Sequence, residues 1–178
     1  MGNILISRLL DTAAIGRAYP LVRNLGPGIA LERWNRFARR QIASRSPKWP
    51  RGLMTIQNAG GYILGLFGFE VCDDLHESRT LCITNIIVPN IPGRSRIWAS
   101  IVAAAENLAE ANVCHAIRVE LAGDLDRSGS DRAWVAASVK RSGYALDGAR
   151  AFKRLWDASR GSNLPGPDGT TRCNTRGR

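Results

Sequence analysis

Apolar residues along this chain recur in two rhythms, and the switches between them divide it into elements. Alternation and short runs of β-branched and aromatic residues predict strands at Ile4–Leu10, Leu53–Gln57, Tyr62–Cys72, Leu81–Val88 and His115–Leu121. A 3.6-residue period predicts helices over Ala13–Asn24, from Leu31 onward, from Arg94 onward and over Asp131–Ser142. In the second helix Leu31, Trp34, Ala38 and Ile42 share one face, and Arg33, Arg36 and Arg40 share the opposite one. In the third, Trp98, Ile101, Val102, Ala105, Leu108 and Ala109 line one side with Glu106 and Glu110 outward, which makes Trp98 a core residue.

The punctuation agrees with this division. Asp11-Thr12 offers a helix cap, Gly26-Pro27-Gly28 stops the first helix, Ser130 can cap the last, and Gly143 closes it as a left-handed residue. Asn58-Ala59-Gly60-Gly61 joins two strands as an antiparallel hairpin, and Asp147-Gly148 predicts a final hairpin between Tyr144–Leu146 and Ala149–Trp156. Gly65 and Gly68 interrupt a strand, as glycines do at a bulge or a close backbone approach.

Strand, helix and strand from Leu81 to Leu121 imply a right-handed crossover and two parallel neighbours. The turn Pro89-Asn90-Ile91-Pro92-Gly93 brings the crossover helix to its start at Arg94. A helix start leaves backbone N–H groups without internal partners at the positive end of the macrodipole, so it can hold an anion. Arg94 and Arg96 oppose that dipole, and so either point to solvent or help to hold the anion.

Composition narrows the picture. The chain has 178 residues, 44% of them hydrophobic, enough for one core; a single domain is expected over 1–158, followed by a disordered basic tail over 159–178. Twenty-five Lys and Arg against 15 Asp and Glu give a net charge of +10, which favours anionic partners. No acidic residue occurs from Arg33 to Arg51, and Trp49 beside this run could stack on a base, although such runs are most often solvated faces. Cys72, Cys82, Cys114 and Cys173 show no paired metal-ligand spacing, so no metal site is expected, and free thiols in apolar runs suit a reducing cytoplasm. Arg8 and Asp11 interrupt the start too early for an export signal, and the longest uncharged apolar stretch, Ile97–Ala105, is too short to cross a bilayer. Cytoplasmic location without membrane contact is the expectation.

Three local motifs carry a resemblance. They are Gly61-Tyr62-Ile63-Leu64-Gly65, then Ile86-Ile87-Val88 leading into the Gly93 turn, then Lys140-Arg141-Ser142-Gly143-Tyr144. With the order of elements from roughly Ile4 to Trp156, they resemble the GNAT superfamily of acyl-CoA-dependent N-acyltransferases. The resemblance implies an α/β (α+β) fold: a mixed, mostly antiparallel sheet with helices on both faces, splayed at a central parallel strand pair. It implies acetyl transfer from acetyl-CoA to an unidentified amine acceptor. Main-chain groups of Ile86 and Val88 would contact the pantetheine arm, and Gly93, Arg94, Ser95 and Arg96 would hold the pyrophosphate. A general base must take the ammonium proton of the acceptor. Glu120 is the candidate, late in its strand, opposite in facing to Ile117, Val119 and Leu121 and near the level of Ile86; Thr84 and Glu70 rank below it.

Two departures from the family pattern matter. Ile97 replaces a small residue of the pyrophosphate loop in either register, and Val139 stands where many relatives carry a tyrosine that protonates the leaving thiolate. They define the alternative, a catalytically degenerate GNAT-like domain that binds nucleic acid or an acidic partner through Arg33, Arg36 and Arg40.

Overall fold

Along the chain follow β1 (Leu5–Leu9), α1 (Ile15–Arg23), α2 (Leu31–Ala43), β2 (Arg51–Asn58), β3 (Ile63–Asp74) and β4 (Ser78–Ile87). Then come α3 (Arg94–Ala111), β5 (Ala116–Glu120), α4 (Gly129–Arg141), β6 (Ala145–Asp147) and β7 (Arg150–Arg154). This computed structural model describes residues 4–24, 28–43, 46–121, 129–147 and 150–155. The expected tail over 159–178, the Gly148 turn and the Ser130 cap side chain lie outside the described residues.

Seven strands form one sheet in the order β1-β2-β3-β4-β5-β7-β6. All neighbours are antiparallel except β4 and β5, which run parallel with Thr80 opposite Ala116 and Ile83 opposite Val119. This is the predicted mixed sheet with its central parallel pair. Period-2 alternation divides the apolar side chains between two cores. Met54, Ile56, Phe67, Phe69, Leu81, Ile83, Ile117 and Val119 pack with α3 and α4, while Leu53, Leu66 and Ile87 pack with α1 and α2. Helices therefore cover both faces.

Local chemistry explains the boundaries. Asp11 accepts a 2.7 Å hydrogen bond from the Ala14 N–H and so caps the helical turn that leads into α1. Trp34 is buried and donates its indole N–H to the Ile15 carbonyl at 2.8 Å, tying α2 to the start of α1. Ala38 shares that buried face, whereas Leu31, expected on it, remains 40% exposed at the first turn of α2. Arg33, Arg36, Arg39 and Arg40 are all exposed.

Both interrupting glycines mark close approaches. A Cβ on Gly65 would stand 2.7 Å from Ile97 Cγ2 of α3, and one on Gly68 would stand 2.8 Å from Thr84 Oγ1 of β4. Glycine at these positions lets α3 seat on β3 and lets β4 bend toward β3.

Candidate active site

The centre of the sheet opens because β4 carries one residue too many. Gly68 pairs with Thr84 and Leu66 with Ile87, so one residue of β3 is opposed by Asn85 and Ile86 together. Asn85 takes the left-handed conformation at φ 50°, and its amide donates to Thr84 Oγ1 at 3.0 Å. Such a bulge bends the strand and re-aims the next side chains. Ile86 accordingly turns to the α3 and α4 side and Ile87 to the α1 and α2 side.

The β4–β5 ladder stops at Ile83 and Val119, just before the bulge, while β5 keeps β7 as its partner through Glu120. Past that point β4 and β5 diverge. Among the described residues, the N–H and C=O of Val88 have no hydrogen-bond partner.

Gly93 stands at the head of α3 with φ 83°, and nothing lies within 4 Å of the position a Cβ would take. The Arg94 N–H bonds the Ile91 carbonyl at 3.1 Å and the Arg96 N–H bonds the Gly93 carbonyl at 2.9 Å. The N–H groups of Gly93 and Ser95 have no partner among the described residues. Ile97, the bulky departure in this loop, is buried and points onto β3 at Gly65. Its side chain also lines the small cleft beside Gly93 and Arg96.

The two arginines diverge. Arg94 donates to Asn90 Oδ1 at 2.9 Å and stacks its guanidinium 3.9 Å from the centre of the Trp134 ring on α4. Arg96 instead lines a cleft of about 100 Å³ with Leu5, Leu64, Ile91, Pro92, Gly93 and Ile97.

Beneath the loop, the wedge between β4 and β5 is narrow. Ile83, Ile86, Trp98, Val102, Val139 and Tyr144 leave a cavity of about 10 Å³, room for one water. Trp98 is core, as its spacing predicts, and donates its indole N–H to Ser142 Oγ at 3.1 Å while meeting Trp134 edge to face. Val139 is fully buried here and offers no proton. Tyr144, which the sequence did not single out for chemistry, lines the same wedge; burial, and then Glu106, push its phenol well above the ordinary value, so it stays protonated.

Glu120 lies one residue beyond the last β4–β5 pair, at the level of Thr84 and short of the expected level of Ile86. Past Thr84 the bulge sets each β4 residue one step back against β3. Glu120 pairs in the ladder with Arg150 of β7, is half-buried, and its carboxylate has no partner among the described residues. Glu70 is exposed and faces Arg51 at 3.8 Å. Arg118, two residues before Glu120 in β5, pairs with Asp74 at 2.7 Å. Trp49 packs against the core with Arg79 over its ring at 5.0 Å, so one face is already taken.

This architecture is the GNAT fold, and comparison with solved structures supports it. An aminoglycoside N-acetyltransferase, AAC(6')-Iy, in complex with CoA superposes with a TM-score of 0.64 at 12% identity, over 82% of this chain and 91% of that one. Glucosamine-6-phosphate N-acetyltransferase from Arabidopsis thaliana gives 0.57 at 11% identity, over 81% and 93%. A chimera of spermidine N-acetyltransferase SpeG from Vibrio cholerae and hSSAT gives 0.57 at 14% identity, over 84% and 95%. No protein-family model and no curated protein matches this sequence. Among the described residues, no helix is long and apolar enough to cross a membrane.

Proposed function

We propose that the chain is an N-acyltransferase that moves an acetyl group from acetyl-CoA to an amine on a small molecule or protein. The observation that carries this reading is the bulge at Asn85, which parts β4 from β5 beside a loop with open amides.

In this reading the Gly93 and Ser95 N–H groups, with the positive end of the α3 dipole, bind the pyrophosphate. Arg94 and Arg96 add positive charge. Main-chain groups of Ile86 and Val88 orient the pantetheine arm along β4 past its last pair with β5. Glu120 takes the proton from the ammonium of the acceptor, directly or through water. The amine nitrogen then attacks the thioester carbonyl, the C–N bond forms as the C–S bond breaks, and the thiolate leaves. With Val139 unable to donate, proximity and amide stabilisation of the carbonyl oxygen supply most of the acceleration.

Calorimetric titration with acetyl-CoA and a desulfo analogue tests it. Micromolar binding is expected, weakened about tenfold in Gly93→Val, which crowds the loop and strains a left-handed position. Glu120→Gln is expected to lower kcat by about 10²-fold or more while leaving coenzyme affinity unchanged. Silence from both ligands at high micromolar concentration overturns the reading.

A further inference from the structure

Three strands bring together side chains that acyl transfer leaves unused, on the sheet face that also carries Glu120. Cys72 of β3 is opposite Thr80 and Cys82 of β4 is opposite Glu70, so the two cysteines are diagonal neighbours on one face. Their sulfurs lie 3.0 Å apart, and both are free thiols. Cys82 is the ladder partner of Arg118 on β5. The guanidinium donates from Nη2 to Cys82 Sγ at 3.1 Å and reaches Cys72 Sγ at 3.8 Å. Asp74 grips Nη1 at 2.7 Å, and Nε is buried with no partner among the described residues.

A guanidinium against a sulfur stabilises thiolate over thiol, and the nearer sulfur gains more. The same positive charge repels a metal cation, so the arrangement favours sulfur redox chemistry over metal binding. Burial, and then the neighbouring Cys82, push the Cys72 thiol up to about 12. Cys82 is buried and Cys72 half-buried, so a small oxidant reaches the pair from the Cys72 side.

We infer that Cys72 and Cys82 form a reversible, peroxide-sensitive dithiol, with Cys82 as nucleophile, Cys72 as resolving thiol and Arg118 as positioning residue. The Cys82 thiolate attacks one oxygen of a hydroperoxide; the S–O bond forms as the O–O bond breaks, leaving a sulfenic acid on Cys82. The released alkoxide or hydroxide takes a proton. Cys72 then attacks that sulfur; the S–S bond forms, the S–O bond breaks, and the hydroxyl departs with the Cys72 proton as water. Two thiols lose two electrons, and the hydroperoxide is reduced by two electrons to an alcohol or water. A dithiol reductant reverses the bond by exchange.

The test treats the full chain with hydrogen peroxide, blocks remaining thiols with N-ethylmaleimide and maps the peptides. The expected product links Cys72 to Cys82 with loss of two hydrogens, leaves Cys114 alkylated, and reverts with dithiothreitol. Cys72→Ser is expected to trap a dimedone adduct on Cys82. Arg118→Met is expected to slow oxidation about tenfold, and Arg118→Lys to restore most of the rate. The inference is overturned if both cysteines stay alkylatable, if either links to Cys173 instead, or if Cys82 oxidises no faster than Cys114 in the Cys72→Ser chain.

Discussion

From Thr80 to Ile83, β4 pairs with strands on both sides, whereas from Thr84 to Ile87 its ladder partner among the described residues is β3. The first stretch buries Leu81 and Ile83 under α3 and gathers Cys82, Arg118 and Asp74 on the opposite face. The second carries the bulge and borders the wedge and the Gly93 loop. A parallel ladder extends itself wherever both strands stay regular, so ending one in the middle of a sheet requires a defect. Here the defect is one residue, where the register of β4 against β3 shifts.

Removing that residue is the most direct way to erase the difference. In the present structure Thr84 and Ile87 share a face although they are three apart; without Asn85 they would be two apart and still share it. Deletion of Asn85 is therefore expected to leave a folded chain with an unchanged or higher melting temperature. Acetyl-CoA affinity is expected to fall about 100-fold, ~2.7 kcal/mol. Calorimetry on the folded variant reads this, and retained affinity would detach the bulge from binding.

Gly65→Val attacks the same end through its support. Its new side chain would collide with Ile97, so a stability loss of about 1–3 kcal/mol in urea unfolding is expected, partly recovered by adding Ile97→Ala. An additive double variant would show that the two side chains do not compete for one space.

The laddered end can be strengthened instead. Val113 leads into β5 at φ 52°, and Cys114 and Val113 bond back to Ala109 and Glu110 in the pattern that Tyr144 and Gly143 repeat at the end of α4. Where α4 uses glycine, α3 uses a β-branched residue. Val113→Gly is expected to raise unfolding stability by about 1 kcal/mol, with coenzyme affinity unmoved.

The smallest effect is in alkali. The Cys72 thiol is raised from 9.0 to about 12, chiefly by burial, and burial also raises Tyr144. The unfolded chain releases these protons first, so their stabilisation is complete below about pH 9 and is lost as pH rises through the folded values. Melting curves across this range are expected to fall steadily, and less steeply in Cys72→Ser.

Most elements were legible because their periodicity runs over many residues: the strands, the crossover and the Asp11 cap fall within a few residues of the expected places. Gly65 and Gly68 announced close approaches, though not their partners. What remained hidden depends on register between distant segments. Nothing in Thr84-Asn85-Ile86-Ile87 distinguishes a bulge from a regular strand, and the level of Glu120 depends on the register of β5 against β4. The meeting of Cys72, Cys82 and Arg118 joins residues up to 46 apart in sequence, beyond any local pattern. Arg94 and Arg96 read as a pair, yet a two-residue step on a helix turns side chains far apart, and only the structure gives Arg94 to Trp134.

The Arg94 guanidinium on the Trp134 ring also gives the chain an intrinsic optical readout. An indole's emission responds to a cation lying on its face, so a solute that draws Arg94 away should alter tryptophan fluorescence without any attached dye. Trp134→Phe identifies that signal, making the occupancy of the α3 turn measurable in a cuvette.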